Sequence, residues 1–170
     1  MNLKNTLVAF LLFFSIGLFA QDKNQEADLN AFLLAKKFKP ISMQKLITGH
    51  LYTEAIVNGV KGRFLIDTGA GATVIEIKRK ELFKMKGVDS KDKATGAGGT
   101  GLAVQESINN KFSIGEYVFG SDTLRMMNLD HVNVALKGIG VQEIDGVIGA
   151  DILTAGMAVI DYKNLILYLK

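Results

Sequence analysis

Few side chains in this chain are suited to catalysis, and the most suggestive is the carboxylate of Asp67 in Asp67-Thr68-Gly69-Ala70. The apolar run Phe64-Leu65-Ile66 leads into it and Ala72-Thr73-Val74-Ile75 follows. A carboxylate carried by a buried strand into a glycine turn suits acid-base chemistry. The strand holds it in place, the small residues Gly69, Ala70 and Gly71 admit a second backbone nearby, and Thr68 offers a hydroxyl for locking the turn. The same tetrapeptide also serves as a plain tight turn, in which Asp caps backbone N–H groups and glycine takes a positive φ.

Other chemistries find little support. His50 and His131 are the only histidines, neither belongs to a metal-spaced cluster, and cysteine is absent, which argues against zinc or Cys-His mechanisms. Serine catalysis would need one of these histidines beside a nucleophile, and His131 in Leu129-Asp130-His131-Val132 reads as a helix-surface residue. No metal or cofactor is called for. Asp145 and Asp151 flank Val147-Ile148-Gly149; Asp145 reads as a turn residue and Asp151, in the first turn of a short helix, as a capping residue. Asp161 reads as serving the last hairpin. The segment Gly96-Ala97-Gly98-Gly99-Thr100-Gly101 is a glycine-dense hairpin tip, able to move and to present backbone groups to an extended peptide. A phosphate cradle does not fit there, because no Lys-Ser/Thr follows and the next residues read as a strand.

The elements that must position these groups are short apolar and β-branched runs punctuated by glycine. Residues 46–57 read as one long strand or two, Asn58-Gly59 as a hairpin turn, and Lys61–Ile66 as the strand that delivers Asp67. A short strand is expected over 73–75, a helix over Glu76–Met85, a stretch 92–95 leading into the glycine-rich tip, strands over 102–108, 111–114, 117–119 and 123–128, and short helices over 129–136 and 150–154. A closing hairpin, 157–161 with 165–169, follows. Eighteen glycines against one proline fit a domain of many glycine-closed turns.

Residues 1–20 read as a signal peptide: Lys4, then almost unbroken apolar sequence from Leu7 to Phe19, then Ala20 before Gln21 and Asp22. Export to a periplasm or the extracellular space is therefore expected. The remaining 150 residues hold 19 Lys and Arg against 17 Asp and Glu, a formal charge of +2. That suits one domain, residues 42–170, behind an N-terminal polar and helical segment, residues 21–41, which is read either as a small docking helix ended by Pro40 or as a propeptide or dimerisation arm. So small a balance, with only Lys78-Arg79-Lys80 as a basic run, argues against a nucleic-acid partner.

Three features in order carry a family resemblance: Phe64-Leu65-Ile66-Asp67-Thr68-Gly69-Ala70, the glycine-rich segment Thr95–Gly101, and Gly146-Val147-Ile148-Gly149-Ala150-Asp151-Ile152-Leu153 followed by the final pair of strands. From Gly49 to Lys170 the chain resembles the retropepsin-like aspartic proteases, specifically the small secreted bacterial members. The resemblance implies a mainly β, single acid-protease lobe, a partly closed β barrel with two or three short helices, in which the chain crosses behind the catalytic turn at Val147-Ile148-Gly149. It implies Asp67, Thr68 and Gly69 as the catalytic turn, Gly96, Ala97, Gly98 and Gly99 as a substrate-binding flap, and Ala70, Gly71 and Gly149 as close structural support. One departure is Gly71, where many relatives carry a serine that helps hold the carboxylate. A single Asp-Thr-Gly is half of a two-carboxyl site, so the resemblance implies a homodimer that hydrolyses peptide or protein substrates. The alternative is a non-catalytic peptide- or protein-binding module of the same fold.

Overall fold

The computed structural model describes residues 29–96 and 98–170. The expected signal peptide, residues 21–28 of the N-terminal segment and flap residue Ala97 lie outside the described residues. The chain divides into two compact units, Met1–Phe38 and Lys39–Lys170. Within the first, residues 29–35 form a helix, α1. Lys37 takes a left-handed φ of 67°, and Phe38 N–H closes back on the Leu33 carbonyl at 3.0 Å, a common way to end a helix. Pro40 is therefore not the stop. It lies in strand β1, Lys39–Ser42, at the edge of a sheet where the missing N–H costs no ladder bond.

The second unit is built from two sheets. The smaller has the order β1-β13-β12, with β12 spanning Val159–Asp161 and β13 Ile166–Leu169. The larger runs β6-β7-β10-β5-β11-β4-β3-β8-β9 with β2 added on β3, and it is open at both ends of that path. Its strands are β2 (Gln44–Lys45), β3 (Leu51–Val57), β4 (Val60–Ile66), β5 (Val74–Glu76), β6 (Val88–Gly96), β7 (Gly99–Ser107), β8 (Phe112–Ile114), β9 (Tyr117–Val118), β10 (Leu124–Met127) and β11 (Gly146–Ile148). Helices α2 (Asp130–Gly138) and α3 (Ala150–Ala155) complete it. The fold is mainly β with three short helices.

The placement of Asp67 begins with a hairpin. Asn58 and Gly59 both have positive φ, 51° and 84°, the geometry of a two-residue turn whose twist matches its strands. Val57 therefore pairs with Val60, and the register continues to Leu51 opposite Ile66. On β3, Leu51, Thr53, Ala55 and Val57 alternate into the interior, whereas β4 ends in the apolar run Phe64-Leu65-Ile66, in which the successive residues Phe64 and Leu65 are both buried. Phe64 at its centre is fully buried, with Phe112 edge-on at 5.4 Å. β11 pairs parallel with β4, Ile148 beside Ile66, and antiparallel with β5, Val147 beside Val74. The strands before and after the Asp67 turn are thus clamped by one later strand passing between them.

The expected helix over Glu76–Met85 is absent. A single 3-10 turn, Ile77–Arg79, occupies its start, and Lys84 has a left-handed φ of 55°, which a continuing helix does not permit. The buried Glu76 carboxylate accepts from Lys78 N–H at 3.1 Å and from Leu129 N–H at 2.8 Å; it ties this loop to the start of α2. The stretch from 46 to 57 holds one strand, β3, because residues 46–50 form a tight loop between β2 and β3, His50 C=O accepting from Leu46 N–H at 2.8 Å. The stretch leading into the glycine-rich tip is a long strand, β6 from Val88, paired with β7 with register irregularities between Asp89 and Lys93 and between Ala94 and Gly96.

Candidate active site

The turn after β4 is held almost wholly by backbone. Asp67 N–H extends the parallel ladder onto the Ile148 carbonyl at 3.0 Å, and Asp67 C=O accepts from Ala70 N–H at 3.2 Å. Asp67 Oδ1 accepts from Gly69 N–H at 2.8 Å. Asp67, Thr68 and Gly69 are all exposed in the protomer. The Thr68 hydroxyl, expected to lock the turn, has no partner among the described residues; the Asp67 side chain closes the turn instead. With Gly71 in place of serine, no side-chain hydroxyl reaches the Asp67 carboxylate among the described residues.

Behind the turn lies Gly149. A Cβ there would sit 2.5 Å from Ala72 C, 2.6 Å from Ala72 O and 2.8 Å from Ala70 O, so the crossing strand and the turn touch backbone to backbone. Ala150 N–H donates to Ala70 C=O at 2.7 Å. Buried Thr73 links the two segments: its hydroxyl accepts from Gly149 N–H at 3.0 Å and donates to Asp151 Oδ1 at 2.7 Å. Asp151 also accepts from Thr73 N–H at 2.9 Å and from Ile152 N–H at 2.8 Å. Asp151 therefore braces the turn through Thr73 as well as capping its own helix. Asp145 is more than a turn residue, since Oδ2 accepts from Arg63 N–H at 2.8 Å and Oδ1 pairs with Arg79 Nε at 2.8 Å. Both carboxylates are engaged away from Asp67.

Beside Asp67 opens a cleft of about 300 Å³, floored by Val74, Leu102, Met127 and Val147 and bordered by Thr95 and Gly98 of the β6–β7 hairpin. The hairpin thus covers the groove that Asp67 enters; Gly96 and Gly99 face each other across its tip. Arg125 and His131 also line the cleft. Nothing in the sequence marks Arg125 for this place, and His131, read from it as a helix-surface residue, borders the cleft instead. Arg125 is the outward residue of β10 and pairs with Glu106 at 3.5 Å. His131 enters because α2 starts next to the end of β10, a juxtaposition with no local signature. Next to it, the Asp130 carboxyl is held below its usual value, foremost by the hydrogen bond from Lys78 and then by that from Asn128, and the same bond raises Lys78. His50 lies elsewhere, bonded to Thr48 at 2.9 Å. Among the described residues no cluster of His, Asp and Glu could hold a metal ion.

A family model described as aspartyl protease matches residues 53–152, from β3 through the turn and the cleft to α3. The chain belongs to the aspartyl protease family. No curated protein matches it. Among solved structures, it is similar to a retropepsin-like aspartic protease from Rickettsia conorii, with 23% identity, 78% of this chain and 92% of the other covered, and a TM-score of 0.48. The EIAV protease complexed with the inhibitor HBY-793 matches at 15% identity, covering 65% of this chain and 91% of the other, with a TM-score of 0.48. The retroviral protease-like domain of Ddi1 from Leishmania major matches at 15% identity, 71% and 88% coverage and a TM-score of 0.49. The region matched to the aspartyl protease family contains the Asp-Thr-Gly turn together with the crossing strand that clamps it.

Proposed function

We propose that the chain is an exported, retropepsin-like aspartic endopeptidase of the small secreted bacterial kind, working as a homodimer in which two Asp67 carboxyls share one proton. The observation that carries this reading is the isolation of Asp67: it is exposed at the mouth of an apolar cleft, and the two nearest candidate aspartates are bonded elsewhere. With a second Asp67 brought to about 3 Å, ionising both carboxyls becomes prohibitive, so one takes a proton from water while the other protonates the scissile carbonyl. The apparent pKa values then belong to the pair, and activity follows a bell-shaped pH profile. Thr68 and Gly69 shape the catalytic turn, and Gly96, Ala97, Gly98 and Gly99 cover an extended peptide bound as an added strand.

A face for the second copy adjoins the turn. Thr68, Ala150, Leu153, Met157 and Ile160 border an apolar hollow of about 420 Å³, and Met157 is 58% exposed. β13 is paired on both sides within its own chain, leaving only the outer edges of β1 and β12 open in that sheet. A two-fold axis beside Thr68 brings the two carboxyls together and covers this hollow. Export rests on the apolar leader at residues 1–20.

The test is cleavage of a diverse peptide mixture by residues 21–170 from acid to neutral pH, beside Asp67→Asn, with sedimentation equilibrium on both. Cuts that vanish in the variant, from a dimer, support the reading. A folded dimer that cuts nothing moves the function to a peptide-binding module.

A further inference from the structure

The tip of the β6–β7 hairpin rests on an imidazole of its own protomer. A Cβ built on Gly98 would lie 2.8 Å from His131 Nδ1, 2.9 Å from Cε1 and 3.1 Å from Cγ, so the ring lies directly against the glycine and any larger residue there would have to displace it. The ring nitrogens of His131 have no hydrogen-bond partner among the described residues, and the side chain borders the cleft. Its backbone, in contrast, is anchored on both sides. Leu129 N–H is held by Glu76 at 2.8 Å, and Asp130 N–H by Asn128 Oδ1 at 2.6 Å. Two residues beyond His131, buried Asn133 exchanges two hydrogen bonds with the Ile144 backbone, at 3.1 and 2.9 Å. A ring carried on an anchored backbone, lying against the glycine of the hairpin tip and making no hydrogen bond among the described residues, has the form of a stop.

We propose that His131 is the rest on which the flap closes, a positioning residue that sets the flap's height over the cleft without touching the reacting atoms. Because the contact lies within one protomer, the flap has a closed position before substrate or partner arrives. A flap already seated loses less freedom when it closes over a peptide, so the rest acts on binding rather than on the chemical step. The inference builds on the reading of residues 95–101 as a substrate cover, and its test includes a measurement independent of catalysis.

Hydrogen exchange of the backbone amides at residues 94–102 is compared in the wild type, His131→Ala and His131→Phe, with amides of β3 and β4 as the folding control. Removal of the ring is expected to speed flap exchange roughly three- to tenfold while the control is unchanged, and phenylalanine, which restores a flat ring, to return it towards the wild-type rate. In peptide hydrolysis the alanine variant is expected to raise KM by a similar factor at nearly constant kcat, with phenylalanine rescuing it. Flap exchange in His131→Ala equal to the wild type overturns the proposal, and so does exchange in His131→Phe as fast as in His131→Ala. A protein that cleaves nothing but shows the expected exchange pattern upholds the flap rest and overturns the endopeptidase reading.

Discussion

Gly149→Ala places one methyl group where the crossing strand meets the Asp67 turn. The backbone of Gly149, φ −101° and ψ −174°, is open to any residue, so the whole penalty is steric. The added carbon would approach Ala72 C to 2.5 Å, against an ordinary contact of at least 3.4 Å, an overlap of 0.9 Å. All three nearest atoms are backbone, so no side chain can rotate away and relief requires moving the turn. Overpacking of this kind costs about 1–3 kcal/mol, and a wholly backbone contact belongs at the upper end. With a urea m-value of about 1–3 kcal/mol/M, the midpoint falls by roughly 1 M, and Tm by roughly 2–4 °C per kcal/mol. The assay is urea unfolding beside Gly71→Ala, where a Cβ meets nothing within 4 Å and the expected change is within about 0.5 kcal/mol. A Gly149→Ala midpoint equal to the wild type, or a Gly71→Ala midpoint that falls equally far, would refute the claim that backbone contact sets the turn. A reduced peptide-cleavage rate in the folded fraction of Gly149→Ala is expected as well, because the shifted turn carries Asp67.

Other consequences test neighbouring parts of the argument. Asp151→Ala strands the Thr73 N–H and hydroxyl and should lower stability by about 2–4 kcal/mol, with Asp151→Asn, which keeps an acceptor, losing markedly less in the same unfolding assay. The Asp161 carboxyl is held below its ordinary 3.8, foremost by the backbone N–H of Asn164, then by the Asn164 side chain and by Lys163 N–H. A depressed carboxyl stabilises the fold above 3.8 and loses that contribution as pH falls through its lower folded value, so Asp161→Asn should flatten the decline in Tm below about pH 4. Met157→Lys, on the apolar hollow beside Thr68, should weaken dimerisation by roughly tenfold or more in sedimentation while leaving the protomer folded.

What was legible in the sequence was local. Asn58-Gly59 determines its own turn, the register of the hairpin follows from it, and Asp67 arrives where the apolar run Phe64-Leu65-Ile66 before it and the small residues Gly69-Ala70 after it say it should. Gly149 could be read as small beside a nearby turn. The residues that escaped reading owe their roles to pairings made far along the chain. Glu76 abandons a helix because Leu129, 53 residues on, offers a second donor to its carboxylate. Lys39–Ser42 becomes a strand because β13, at the other end of the unit, supplies its partner. His131 looks like any polar residue at a helix start, and it borders the cleft only because β10 pairs parallel with β5 and releases α2 beside the flap. The Asp67 turn is therefore readable as a motif, whereas the surroundings of the cleft come from long-range register. Substitutions at Gly149 and Asp151 should act through the turn's support, and those at His131 through the cover above it. Asp67→Asn, which keeps an acceptor for Gly69 N–H, should leave both unchanged.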